Sequence, residues 1–240
     1  MTGKKRILIV DDDIFMRETT SDILREKGYD VDWATSGEET VQKMHEKHFD
    51  VVLLDLKLGG MNGCETHQAI KKINALTKTI IITGYSQDEV IKDCLRDGVF
   101  GILYKPLDMD KVIAHIELAG KGTIVMIIED DEIMRHSLEN ILREHGYYVI
   151  GAKDSEEALQ KAIEIPPHIL ITDIKLPTLN GCDIFIAIKE IVPSVKAILI
   201  TGYREEVHDL ITMALEKGAH TCLYKPFDAE HLLKILKEIT

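Results

Sequence analysis

Apolar residues fall in short runs separated by longer amphipathic stretches, and the pattern is written twice. In the first half the runs predict strands near 6–10, 30–34, 50–54, 79–82 and 101–104. Helical spacing between and after them predicts helices near 13–27, 37–46, 63–74, 87–97 and 109–118. The second half predicts strands near 124–128, 147–152, 168–172, 195–200 and 220–223. Three of the five runs in each half are almost continuously apolar, as in strands covered on both faces. Alternating β and α with short connections implies a parallel sheet with right-handed crossovers. Ser36 with Glu39 and Ser86 with Glu89 fit capping boxes, and Asp154 with Glu157 is the acidic version. Gly28 and Gly146 sit where helices should stop.

The repeat extends to the residues that end the runs. Leu8–Asp13 recurs as Met126–Asp131, Val51–Asp55 as Ile169–Asp173 and Ile80–Tyr85 as Ile198–Tyr203, each offset by 118. Leu103–Pro106 recurs as Leu223–Pro226, offset by 120. Such a period is too long for a solenoid unit of roughly 20–50 residues. It predicts two domains, residues 1–119 and 124–240, joined by a short linker at 120–123.

A net charge of -12, with more acids than bases in both halves, argues against a broad grip on nucleic acid or anionic lipid. No signal-peptide pattern and no membrane-length apolar stretch is present, so a reducing cytoplasm is the expected setting. The cysteines, Cys64, Cys94, Cys182 and Cys222, form no Cys-x-x-Cys pair, which disfavours zinc and dithiol redox chemistry. The ten histidines are scattered and read as structural or surface residues. Asp13 and Asp131 can be read equally as helix N-caps.

In an open parallel sheet, ligands bind at the carboxyl ends of the strands, where strand order reverses. Those ends carry Asp11 and Asp12, Asp55, Thr83 and Lys105 in the first half. In the second they carry Glu129 and Asp130, Asp173, Thr201 and Lys225. Three clustered carboxylates need a counter-charge, which a hard cation such as magnesium supplies. A lysine and a hydroxyl opposite the metal suit a tetrahedral anion. A carboxylate between metal and lysine can act as a nucleophile toward phosphorus.

On these residues each half resembles the receiver domain of bacterial two-component response regulators. The resemblance implies two flavodoxin-like (βα)5 doubly wound α/β domains, each with a five-stranded parallel sheet. It implies magnesium at Asp11, Asp12 and Asp55, and at Glu129, Asp130 and Asp173, with Arg17 and Arg135 setting the register. Asp55 and Asp173 correspond to the phosphorylated aspartate, Thr83 and Thr201 to the hydroxyl that closes on the phosphoryl group. Lys105 and Lys225 match the lysine before a usually cis proline. The segments 55–63 and 173–181 match the family's loop after the aspartate. The implied function is non-enzymatic signalling: a sensor histidine kinase or histidine phosphotransfer protein donates the phosphoryl group, and protein contacts then switch. No direct nucleic acid or membrane partner is implied, and the fourth and fifth helices are candidate homodimer surfaces.

The departures bear on the mechanism. Gly59 stands where proline is usual, which should loosen that loop. The usual switch aromatic is replaced by Ile102 and Cys222, with Tyr104 and Tyr224 one residue before the lysine. Competing readings are a scaffold with one silent receiver, and a phosphatase using an aspartyl intermediate. Lys57 stands where the best-known such family requires a second aspartate. The chain reads either as a stand-alone tandem receiver or as part of a longer regulator or hybrid kinase.

Overall fold

Every predicted strand run forms a strand in a computed structural model that describes residues 4–84, 88–177, 179–202 and 207–240. The chain divides into two units, Met1–Gly120 and Lys121–Thr240. The first runs β1 (Arg6–Val10), α1 (Ile14–Glu26), β2 (Asp30–Ala34), α2 (Gly37–Glu46), β3 (Val51–Asp55) and α3 (Gly63–Ile73). It continues through β4 (Lys78–Thr83), α4 (Asp88–Arg96), β5 (Gly101–Tyr104) and α5 (Met109–Leu118). The second runs β6 (Ile124–Ile128), α6 (Glu132–Glu144), β7 (Tyr148–Ala152), α7 (Ser155–Glu164), β8 (Ile169–Asp173) and α8 (Gly181–Ile191). It ends with β9 (Lys196–Thr201), α9 (His208–Glu216), β10 (Thr221–Tyr224) and α10 (Ala229–Ile239).

Both sheets are parallel, in the order β2-β1-β3-β4-β5 and, equivalently, β7-β6-β8-β9-β10. The order reverses between β1 and β3 and between β6 and β8, so each unit opens a crevice at that carboxyl edge. Alternation within the strands builds the core. Ile7, Ile9, Val51, Leu53, Ile80 and Ile82 pack with Leu24 of α1 and with Val112 and Ile116 of α5. The intervening Leu8, Val10, Val52, Leu54 and Ile81 are equally buried and point to the opposite face. A sheet covered on both sides leaves only its ends for polar chemistry.

The helix starts follow the sequence in part. Ser36 and Asp154 cap α2 and α7, accepting from the amides of Glu39 (3.2 Å) and Glu157 (2.9 Å). The reciprocal half of each box is displaced by one residue. Glu39 accepts from the Thr35 amide (2.8 Å) and Glu157 from that of Lys153 (2.9 Å). The Ser86 box lies outside the described residues. A complete box instead joins Asn62 and Glu65 at the start of α3. Asp13 and Asp131 are the N-caps of α1 and α6. Gly28 and Gly146 end those helices at φ +93° and +85°, in the left-handed region that glycine enters freely.

The cysteine spacing left one long-range contact unaddressed. Cys64 and Cys94 are joined by a disulfide across a sequence separation of 30. The bond links α3 to α4, so the short-range spacing rule was blind to it. Cys182 and Cys222 are free.

The aspartate-bearing strands are tied closely to the helices that follow. A Cβ at Gly181 would stand 2.0 Å from the Asp173 carbonyl oxygen, and one at Gly63 would stand 2.7 Å from that of Asp55. Backbone cannot yield as a flexible side-chain tip can. Gly181→Ala is therefore expected to destabilise the second unit by about 1–3 kcal/mol. Gly59→Ala, whose Cβ would meet nothing within 4 Å, should stay within about 0.5 kcal/mol of wild type. Urea unfolding of the two variants checks the contrast.

Candidate functional site

β1 is apolar from Ile7 to Val10, and the chain turns polar where it leaves the sheet. Asp11 stays buried, while Asp12 is exposed. Three bonds fix this corner. Asp11 Oδ1 accepts from the Asp13 amide (2.9 Å), Asp13 caps α1, and the buried Arg17 guanidinium donates to the Asp11 carbonyl (2.6 Å). Arg17 also lies over the Trp33 ring, 5.1 Å from its centroid. Trp33 is the chain's single tryptophan and is partly exposed on β2.

β3 brings Asp55 to the same edge. Oδ1 accepts from the Lys57 amide (2.9 Å) and Oδ2 from Lys105 Nζ (2.5 Å). Lys105 also donates to Asp11 Oδ2 (2.9 Å), so one ammonium bridges the ends of β1 and β3. Thr83 is buried at the end of β4, one residue beyond Ile82, which pairs with Asp55. Its carbonyl accepts from the Lys105 amide (2.8 Å). The Lys105–Pro106 bond is cis. Behind Asp55, the Glu38 carboxylate accepts from the Met61 amide (3.0 Å). That bond and the Asn62–Glu65 box fasten the loop that Gly59 was expected to loosen.

The second unit repeats this frame with one longer acid. Lys225 Nζ donates to Glu129 Oε2 (2.8 Å) and to Asp173 Oδ2. Asp173 Oδ1 accepts from the Lys175 amide (2.9 Å), and Arg135 donates to the Glu129 carbonyl (2.7 Å). Thr201 is buried, its carbonyl accepts from the Lys225 amide (2.7 Å), and Lys225–Pro226 is cis. Asp130 is exposed beside this group.

Charge is compressed at both edges. Burial pushes the Asp55 carboxyl above its ordinary range, against the pull of Lys105. Burial raises Glu129 as well, with Lys225 opposing it. For both lysines burial works downward, but their paired carboxylates outweigh it and hold each ammonium above the usual value. Oxygens of Asp11, Asp12 and Asp55 all lie within 4.8 Å of one another. This all-oxygen set fits a hard divalent cation such as magnesium. Among the described residues no comparable triad forms in the second unit.

The model of the response regulator receiver domain family matches residues 7–117 and again 125–237. The chain belongs to this family. It comprises two receiver domains in series. A response regulator receiver protein of Anaeromyxobacter sp. is 26% identical over 98% of this chain and 95% of its own length. The chemotaxis protein CheY of Thermotoga maritima is 33% identical over 49% of this chain and 98% of its own. The transcriptional regulatory protein ZraR of Escherichia coli O157:H7 is 38% identical over 51% of this chain, a match spanning only 28% of ZraR. Among the described residues, no helix of the receiver pair is long and apolar enough to cross a membrane.

Sequence reasoning named the lysine and the two acids it joins in each receiver but missed what holds them. The Lys57 and Lys175 amides leave no side-chain signature, and the Glu38 carboxylate braces a backbone amide 23 residues away that no local spacing points to. Arg17 and Arg135 served only as register marks, yet each grips the carbonyl of the first acid. Ile102 is fully buried, so the position three before Lys105 is part of the core.

A group whose folded pKa is raised stabilises the fold at low pH and loses that contribution as pH rises. At neutral pH the Asp55 charge is therefore a net cost. Asp55→Asn is expected to stabilise the first receiver by about 1 kcal/mol at pH 7 without divalent ions. The gain should shrink as the pH falls through the raised titration of Asp55. Thermal melts from pH 7 to pH 3 check both the sign and the window.

Proposed function

We propose that this chain accepts phosphoryl groups from a phospho-histidine donor onto Asp55, Asp173 or both, and that the acyl phosphate switches protein contacts. One observation carries the reading. In each unit a single lysine is shared between a buried strand-end aspartate and the buried acid that ends the first strand. A structural ion pair needs one partner; a lysine between two acids at a crevice is suited to a third anion. The domain limits we adopt are 1–119 and 124–240, joined by 120–123.

Asp55 attacks phosphorus through a carboxylate oxygen. The new O–P bond forms as the donor's N–P bond breaks, and the electron pair returns to the imidazole, which takes up a proton. Lys105 balances charge on the transferring oxygens, and the Thr83 hydroxyl donates to one of them. Asp173, Lys225 and Thr201 take the same roles in the second receiver. Asp11, Asp12 and Asp55 would hold magnesium in the first, and Glu129, Asp130 and Asp173 in the second. When bound, the ion supplies positive charge against the phosphoryl oxygens. Water later attacks the phosphorus, the O–P bond to the aspartate breaks, and inorganic phosphate leaves with the carboxylate restored, so each receiver turns over only its own aspartate. The donor is a sensor histidine kinase or a histidine phosphotransfer protein in the cytoplasm, and the α4, α5, α9 and α10 faces are candidate dimer surfaces.

A second reading is favoured by one difference: among the described residues, the carboxylate triad meets in the first unit only. The longer Glu129 reaches Lys225 with one more methylene, and the second receiver is the weaker acceptor on that account.

Labelling with acetyl phosphate or a phosphorylated histidine protein tests both readings. The expected label requires magnesium, lies mostly in the first receiver, and disappears only in the Asp55→Asn, Asp173→Asn double variant. Label that persists in the double variant would refute the assignment. Glu129→Asp should increase the label on Asp173 at limiting magnesium; no change would remove the asymmetric reading and leave the first intact.

A further inference from the structure

The Cys64–Cys94 bond lies next to the proposed phosphoryl site. Cys64 is in the first turn of α3, directly after Gly63, whose amide donates to the Leu56 carbonyl (3.1 Å) just beyond Asp55. Cys94 is in the last turn of α4 and fully buried, whereas Cys64 is partly exposed. Their Cα atoms are 5.5 Å apart, a separation that a disulfide spans with the backbone in place. The end of α4 is fastened to α3 independently. Asp97 accepts from Gln68 Nε2 on its carboxylate (2.6 Å) and from Lys71 Nζ on its carbonyl (2.7 Å). The bridge adds a covalent tether nearer the segment leading from Thr83 into α4.

The second receiver has the same helices and no such bond. Cys182 takes the place of Cys64, its sulfur 3.4 Å from the Leu210 carbonyl as that of Cys64 is 3.7 Å from the Val90 carbonyl. Opposite it, the position of Cys94 is filled by the buried Ala214. Burial pushes the free thiols of Cys182 and Cys222 up to about 11, which leaves them poor nucleophiles at neutral pH.

We propose that Cys64 and Cys94 form a reversible thiol–disulfide exchange site for small disulfides and thiols of the glutathione class, and that oxidation pins α4 to α3 in the first receiver alone. In a reducing compartment a bridge of this kind is made and unmade rather than permanent. The Cys64 thiolate attacks one sulfur of the external disulfide, forming a mixed disulfide with it while the S–S bond breaks and the other sulfur leaves as a thiolate. The Cys94 thiolate then attacks Cys64 Sγ and expels the second thiolate. Two protein thiols are oxidised and one external disulfide is reduced to two thiols. The reverse sequence starts at Cys64, the partly exposed residue of the pair. The tether restrains the helix that follows Thr83, so the oxidised first receiver responds less to phosphorylation. That consequence rests on Asp55 as the acceptor; the exchange chemistry does not.

The test equilibrates the full chain with graded ratios of reduced and oxidised glutathione, followed by intact mass, peptide mapping and hydrogen exchange. Oxidation is expected to remove two hydrogens and to join Cys64 to Cys94, leaving Cys182 and Cys222 free. Exchange of Asp88–Arg96 should slow roughly tenfold in the oxidised chain. Cys64→Ser and Cys94→Ala should each abolish that redox dependence, and the partly exposed site keeps the test decisive if the buried variant misfolds. With acetyl phosphate and magnesium, α4 exchange should change in the reduced chain and change several-fold less in the oxidised one. Failure to form the bond at any ratio, or equal α4 exchange in both forms, overturns the proposal. A chain that forms the bond and slows α4 exchange yet takes no phosphoryl group supports the exchange site and overturns the phosphoacceptor reading instead.

Discussion

One ammonium group set between two carboxylates organises each half of this molecule. Lys105 draws the ends of β1 and β3 together, and Lys225 does the same for β6 and β8. Without that cation, two buried acids would face each other across a crevice of low polarity, a costly arrangement. With it, the acids are held close, although burial still raises Asp55 and Glu129. The site is therefore held together by an interaction that is incomplete by itself. Each lysine neutralises less charge than surrounds it, and the residual negative field invites a cation and, with it, a polyanionic group.

The rest of the fold keeps that cluster in place. Strands buried on both faces leave no room for sideways adjustment, so the residue after each apolar run has a fixed position. Arg17 and Arg135 hold the first acid by its backbone, which frees its carboxylate for the lysine. Gly63 and Gly181 let the following helix start against the carbonyl of the second acid. Asp13 and Asp131 satisfy the first amides of α1 and α6, so the neighbouring acids are not drawn into capping. Of the three adjacent acids in each half, the first meets the lysine and the third caps the helix.

The architecture was readable because two independent signals coincided. Apolar runs of strand length gave the sheets, and polar endings repeated at one offset gave the edge where they converge. Residues whose roles depend on side-chain chemistry at a strand end, such as Asp55 and Lys105, were visible for that reason. Contacts made by backbone amides were not, since any residue can supply the N–H that Lys57 and Lys175 provide. The displaced capping bonds of Glu39 and Glu157 show a related limit: spacing identifies the partners but not which of two adjacent amides wins. The Cys64–Cys94 bond escaped because its partners lie on successive helices, brought together only by the crossover geometry.

The aromatic ring beneath Arg17 gives this duplicated molecule a built-in asymmetry of signal. Trp33 stacks under the guanidinium that holds the Asp11 carbonyl, with Lys43 Nζ also 5.7 Å from the ring centroid. The aligned edge strand of the other half carries no indole. Intrinsic emission excited at the red edge of protein absorbance thus originates in one lobe alone, about two residue contacts from its acidic corner. The other lobe, of the same fold but different sequence, lacks tryptophan, and the molecule carries its own lobe-specific fluorophore without chemical labelling.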